Sequence, residues 1–362
     1  MAKKIIEIAP VAAEPVPVAS PDISKAIVGV DIGYRATKAV MPGASPVIFH
    51  SVAAPARTMG FQAEKSKEEH PGDRLTEDDD SEWFIGDLAV EQYRNPDSLL
   101  KLRGRIGEGD SAGNLFRLRM VKAALGKLFG ACDGRVVHIR LATGLPVDHM
   151  NWSGQLKNAL IGQHRIKTDR ADFIANITEV SVMPQPYAVI YSQMLTADGQ
   201  INKAHTAKFT GVIDAGGYTT DAALDHEGTY IDSASGSVEM GISSAQEEIA
   251  NLLLRNHEQK PSYEALERCL RTGFYRVRGE DVDYQDQVYQ ALEPLRSSTM
   301  AMMGNKWQVG AEIDAIYVAG GGASVVYDVI KAAYSQAKLV DNPQMAIALG
   351  YLNYALFVER NG

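Results

Sequence analysis

The stretch Ile213-Asp214-Ala215-Gly216-Gly217-Tyr218-Thr219-Thr220-Asp221 decides the fold, because Val30-Asp31-Ile32-Gly33-Tyr34-Arg35-Ala36-Thr37-Lys38 echoes it. Each stretch ends an apolar β-type run with an aspartate, turns through glycine and leaves through hydroxyl-bearing residues. The pattern is a strand, a tight turn and a returning strand. Glycine has no Cβ, so successive backbone N–H groups can converge on one concavity and bind phosphate oxygens. One such turn is weak evidence. Two, about half a chain apart and each led by an aspartate, indicate duplicated domains closing on one polyphosphate.

Working outward, an apolar run at 26–31 predicts a buried strand, with 36–40 and 47–49 continuing a meander. Residues 56–82 read as a long charged loop with little apolar periodicity, including the acidic run Glu77-Asp78-Asp79-Asp80. That run lacks the glycine-punctuated spacing of a cation loop and reads as solvated. Leu115, Leu118, Val121, Leu125 and Leu128 fall at helical spacing over 114–129 and predict a core helix. Strands are expected at 136–142 and 172–182, a helix capped by Asp148 after the first, and a helix at 187–195 after the second. The polar stretch 196–208 reads as a hinge. The second half restarts with strands at 209–214, 219–224 and 229–232. Helices are expected at 243–256, 263–272 and 283–303, then a strand at 313–319, a helix from Ser324 and a last helix at 344–357. Strand meanders followed by helices, twice over, fit a duplicated α/β fold.

The chain has 362 residues, 45% hydrophobic and 22% charged, enough for two ordinary domains. A net charge of −9 argues against bulk attraction to nucleic acid, and aromatic and basic residues are not interleaved as in nucleic-acid modules. The two cysteines, Cys132 and Cys269, are far apart and read as reduced thiols, which points to a cytoplasmic protein. Eight scattered histidines offer no metal-ligating pair. No apolar run is long enough to insert in a membrane. Residues 1–24, rich in Ala, Pro and Val, read as a disordered extension.

The sequence resembles the actin-like ATPases, in the superfamily of actin, heat-shock chaperones and sugar kinases, and within it the ParM-type actin-like proteins. The resemblance rests on five segments in order: 31–38, Met183-Pro184-Gln185-Pro186-Tyr187-Ala188, 214–221, Val318-Ala319-Gly320-Gly321-Gly322-Ala323 and Asn342-Pro343-Gln344. Trp83-Phe84-Ile85-Gly86-Asp87-Leu88-Ala89 and Ala142-Thr143-Gly144-Leu145-Pro146 are family-like as well. It implies a ribonuclease H-like α/β fold in duplicate, each domain with a smaller outer subdomain and a nucleotide in the cleft between them. The implied division is domain I at 25–200, with its outer subdomain at about 50–110, domain II at 207–343, and a helix at 344–362 packing back on domain I.

The resemblance also implies ATP or ADP with Mg²⁺ as cofactors. Asp31 and Asp214 would flank the cation, mostly through water, as suits an ion that keeps its hydration shell. Gly33, Tyr34, Gly216, Gly217, Tyr218 and Thr219 would form the phosphate loops, and Gly320, Gly321, Gly322 and Ala323 the nucleoside side. Lys38, seven residues after Asp31, matches the lysine that meets the β- and γ-phosphates. Thr37, Thr219 and Thr220 are either strand formers or hydroxyl donors to phosphate, with Thr219 the favoured donor. Arg35 and Ala36 replace the family's usual Gly and Asn, which puts the geometry of the first loop in question. Gln185 matches the residue that orients the attacking water; an amide does not titrate and so holds water rather than deprotonates it. The catalytic set is therefore Gln185, Asp214 and Asp31, with Asp221 behind it. Glu247 or Glu248 is a candidate for the ribose or adenine.

The function implied is a slow, assembly-coupled ATPase that polymerises with itself, serving plasmid segregation or a prokaryotic cytoskeleton, with an adaptor protein linking it to DNA. The 56–82 stretch is a candidate longitudinal contact. A non-polymerising assembly scaffold and a small-molecule kinase of the same fold are the alternatives. No second substrate-binding domain is expected, which sets a chaperone aside.

Overall fold

A computed structural model describes residues 24–57, 70–93, 98–102, 111–130, 132–307 and 312–361. The extension at 1–23 and much of the 56–82 stretch, at 58–69, lie outside the described residues. Two mixed α/β halves face each other, each built on its own sheet.

In the first half β1 (Lys25–Ile32) runs antiparallel to β2 (Ala36–Val40) and parallel to β8 (Asp133–Leu145), which is parallel in turn to β10 (Asp172–Pro184). Val28, Val30, Val137, Ile139 and Ala175 are wholly buried; β1 ends in five buried residues, whereas the first part of β8 and most of β10 alternate buried and more exposed positions, with one face on the core. The helix Ser111–Phe129 covers one face. In the second half β11 (Phe209–Ala215) pairs antiparallel with β12 (Thr220–His226) and parallel with β17 (Ala315–Ala319). The helices Ile242–His257, Gln285–Lys306 and Ala323–Ala333 enclose its core.

The two leading hairpins superpose in register as well as in sequence. Asp31 lies opposite Lys38, and Asp214 lies opposite Asp221. Gly33 N donates to Ala36 O at 3.1 Å, and Gly216 N to Thr219 O at 2.9 Å. The same turn therefore closes both hairpins, and both aspartates end at the same point of their strand.

The helix Ala346–Asn361 packs on β1, β2, β8 and the helix Gln185–Met194 of the first half, seated at backbone contact by missing side chains. A Cβ on Gly350 would lie 1.7 Å from Ala188 O, on the helix Gln185–Met194, and one on Gly29 would lie 2.5 Å from Ala348 O. Asn353 Nδ2 donates to Leu195 O at 3.3 Å, fixing the helix to the start of the connecting segment.

Four sequence expectations need correction. Part of the 56–82 loop is sheet: Arg74–Thr76 pairs with both Glu82–Ile85 and Gly162–Thr168, and Leu75 is wholly buried. Glu77 is not simply solvated, since it takes Arg119 Nε at 2.8 Å and Lys122 Nζ at 3.2 Å from the buried side of the 111–129 helix. On that helix Val121, Leu125 and Leu128 are buried as expected and Leu118 packs on the core, but Leu115 is 50% exposed, and Phe116, Met120, Ala123 and Ala124 are buried as well, so the core face is broader than the leucine stripe. Asp148 caps nothing: it sits in the first turn of a 3₁₀ stretch, Val147–Trp152, which has no side-chain cap. A hairpin of Phe274–Val277 and Glu280–Asp283, unforeseen in the sequence, turns between two helices. Cys132 and Cys269 are both buried and are not joined in a disulfide.

The glycine contacts make a test. Gly350→Ala is expected to cost about 3 kcal/mol or more, because backbone rather than a flexible side chain must give way. Gly154→Ala, where a Cβ meets nothing within 4 Å, should stay within about 0.5 kcal/mol of the parent. Thermal unfolding followed by circular dichroism reads both.

Candidate functional site

Where the two hairpins meet, a cavity of about 60 Å³ is lined by Asp31, Gly33, Tyr34, Lys38, Gln185, Asp214, Gly216, Gly217, Thr219, Gly320 and Gly321, with Arg35, Ala36, Ile242, Gln344 and Ile347 completing it. Tyr218, Gly322 and Ala323 stand beside the cavity rather than in its wall. The ring of Tyr218 meets that of Tyr34 across the cleft, centroids 5.3 Å apart. Gly322 N donates to Ala215 O at 2.8 Å, which ties the glycine turn to the end of β11.

The floor is acidic and dry. Asp31 Oδ2 takes Lys38 Nζ at 2.8 Å, and Asp31 Oδ1 takes the Gln185 amide at 3.1 Å. Gln185 opens its helix and is buried, so its remaining amide oxygen is held in place. Asp214 is buried without such a cation. Burial, and then the charges of Asp221 and Asp31, push its pKa up to about 8, with Lys38 only partly offsetting them. Asp214 Oδ1 has no hydrogen-bond partner among the described residues. Asp221 is satisfied instead: it accepts from Thr219 Oγ1 at 2.7 Å, from the Ser237 hydroxyl, and across the cleft from Val147 N at 3.2 Å.

Glycine is required at two of these positions. Gly320 has φ +91°, and a Cβ there would lie 2.3 Å from Asp214 Oδ1. At Gly217 a Cβ would meet Arg35 Cγ at 2.7 Å. Arg35, the departure in the first loop, thus packs flat across the second. All three hydroxyls weighed as phosphate donors are engaged elsewhere: Thr219 Oγ1 donates to Asp221 Oδ2 at 2.7 Å, Thr37 Oγ1 bonds Ser51 Oγ at 2.9 Å, and Thr220 Oγ1 donates to Met240 O at 2.7 Å. Glu247 and Glu248 are exposed and line no part of the cavity. Gln246 beside them, which the sequence did not single out, is buried, and its Nε2 has no partner among the described residues.

The mouth of the cleft is tied by charge. The Arg35 guanidinium pairs with Glu267 on the helix Tyr263–Thr272 of the opposite half. His50 bonds Asp87 through Nδ1 and reaches the other Glu267 oxygen through Nε2 at 3.4 Å. Burial would lower the His50 pKa, but these two carboxylates outweigh it and raise it to about 9. Burial likewise would raise Glu267, yet Arg35 and His50 hold it down to about 2. Nothing in the spacing of His50, Asp87 and Glu267 along the chain announces this cluster.

The comparisons agree in both halves. Residues 29–187 match the family model of the actin-like proteins' N-terminal domain, and residues 212–332 that of the archaeal actin homologue MreB-like C-terminal domain. No curated protein matches the chain. Among solved structures, a 15-stranded ParM filament from Clostridium botulinum is 21% identical, with TM-score 0.74, covering 92% of this chain and 99% of that one. A non-polymerisable quadruple mutant of pCBH ParM is 23% identical, with TM-score 0.73 and coverage of 91% and 98%. The archaeal actin homologue Ta0583, in complex with ADP, is 18% identical, with TM-score 0.72 and coverage of 92% and 99%. At such identities the likeness shows the fold.

The tie at the mouth carries a pH dependence. Its His50 proton is bound more tightly in the folded state, so the stabilisation is fully present below about pH 6.5 and is lost as pH rises through about 9. The melting-temperature gap between wild type and His50→Gln should therefore be widest at pH 6 and close by pH 10, read by differential scanning fluorimetry.

Proposed function

Because the chain is an actin-like protein in both of its halves, we propose that it binds ATP with Mg²⁺ in the cleft, hydrolyses it slowly and assembles into nucleotide-regulated filaments in the cytoplasm. The observation that carries this reading is the convergence of two register-matched hairpins, which set Asp31, Lys38, Gln185 and Asp214 around one cavity. The residues fit the nucleotide. Gly33 and Gly216 leave backbone N–H groups room to face phosphate, and Lys38 supplies a point charge beside them. The unpartnered, buried Asp214 Oδ1 fits a hydrated cation, for which Asp31 offers the facing carboxylate. The cation would supply charge neutralisation on the phosphates.

Gln185 then acts as the orienting group. Its Nε2 is committed to Asp31, so its carbonyl oxygen is the free end, and it accepts a hydrogen bond from a water aimed at the terminal phosphate. An amide takes no proton, so the chemical step stays slow, as a timer of assembly requires. A cavity of about 60 Å³ is far below the roughly 300–1,000 Å³ of ligand pockets. The halves must part to admit a nucleotide and close again over it, and that motion is the natural link between bound nucleotide and filament contacts. Within the family this reading serves plasmid segregation through an adaptor or a prokaryotic cytoskeletal role.

Asp31→Ala and Asp214→Ala should each weaken Mg²⁺–ATP binding by roughly ten-fold or more in calorimetry, as expected for loss of a buried charge-assisted contact. Gln185→Ala should keep that affinity within a few-fold and lower turnover by roughly a hundred-fold in a phosphate-release assay. Wild-type protein should scatter light and pellet with ATP, and less so with ADP. Protein that binds ATP yet stays monomeric at high concentration would replace the filament with a scaffold role.

A further inference from the structure

The helix Ala346–Asn361 reaches the cleft floor at one place. Ile347 lines the cavity, and one turn further on Tyr351 is wholly buried. The phenol fits a notch left by a missing side chain: a Cβ on Gly144 would lie 2.2 Å from the Tyr351 hydroxyl. The last registered pair of β1 and β8 is Gly29 with Ala142, and two residues on, the strands carry Asp31 and Gly144. Side chains alternate along a strand, so Asp31 and Gly144 face the same side as Gly29, which touches this very helix at Ala348. The hydroxyl thereby lies on the Asp31 side of the sheet, directly behind the residues that line the cavity. Burial, then the charges of Asp31, Asp214 and Asp221, push its pKa well above the ordinary range, and it remains a neutral O–H.

That hydroxyl has no hydrogen-bond partner among the described residues, and neither has Asp214 Oδ1. An unpartnered buried hydroxyl costs its full desolvation, so packing alone would be better served by phenylalanine. We propose that Tyr351 is a positioning residue whose hydroxyl holds a water of the hydration shell of a divalent cation bound between Asp31 and Asp214. A neutral phenol both accepts and donates. Its oxygen accepts a hydrogen bond from a cation-bound water, and its own proton goes to a neighbouring water of the same shell. The inference rests on the reading of the cleft as an ATP–Mg²⁺ site.

Tyr351→Phe keeps the ring and removes only the hydroxyl. ATP is titrated by calorimetry into wild type and variant, once in EDTA and once in excess Mg²⁺, and the ratio of the two affinities is the magnesium-dependent gain. The variant should melt at or above the wild-type temperature without nucleotide and bind ATP equally in EDTA. Its magnesium-dependent gain should be smaller by about five-fold, the worth of one hydrogen bond. An unchanged gain overturns the proposal. So does an equal loss with and without Mg²⁺, or a lowered melting temperature, either of which makes Tyr351 a packing residue. A wild type that binds ATP without regard to Mg²⁺ overturns it too, whereas one that binds no ATP overturns the reading of the cleft itself.

Discussion

Three carboxylates, Asp31, Asp214 and Asp221, are buried together where two strands end, and the surrounding structure is arranged to tolerate them. Like charges in a dry site repel strongly, and each needs its own remedy. Asp31 is paired with Lys38 and capped by Gln185. Asp221 takes hydrogen bonds from Thr219, Ser237 and Val147. Asp214 has neither, and holds its proton to about pH 8. The two hairpins are thus alike in backbone and different in charge: one aspartate faces a lysine across its hairpin, the other a second aspartate. A duplicated fold has been made asymmetric by the residue seven places on.

The glycines serve that arrangement from below. Gly29 and Gly350 strip away side chains so that the helix Ala346–Asn361 lies at backbone distance from β1 and from the helix Gln185–Met194, and Gly144 leaves room for the Tyr351 hydroxyl. Overpacking there would not merely lower stability, because the strand ends would shift and carry the carboxylates with them. The Arg35–Glu267–His50 cluster ties the halves at the mouth, where mostly buried side chains pair across the cleft and the lowered dielectric strengthens their attraction.

Much of this was legible in the sequence because it is local. The strand-turn-strand pattern at 30–38 and 213–221 gave the duplicated fold, and the same residues proved to line one cavity. What was not legible depends on distance along the chain. Glu267 lies more than two hundred residues from Arg35, and its pairing follows only from how the halves face each other. Tyr351 reads as one more apolar helix position, and only the notch at Gly144 gives its hydroxyl a meaning. Leu75 was hidden for another reason: a three-residue strand is too short to show a period, though both its neighbours in the sheet are elsewhere in the sequence. On the helix 111–129 the expected stripe is buried except for Leu115, and the buried face is wider than that stripe. Buried Arg117, Arg119 and Lys122 occupy positions that a simple apolar count assigns to solvent.

The backbone passes from one half to the other at only two places among the described residues, through 195–208 and through 340–345. The helix Ala346–Asn361 stands against both: it continues directly from the second, and Gly199 of the first sits against Leu356 and Phe357. Two strands of chain pinned side by side behave as the two knuckles of a door. They permit a swing about the line that joins them and resist sliding or twisting across it. Travel at the far edge of the cleft then scales with distance from that line, so a small change at the carboxylates becomes a large displacement at the outer rims.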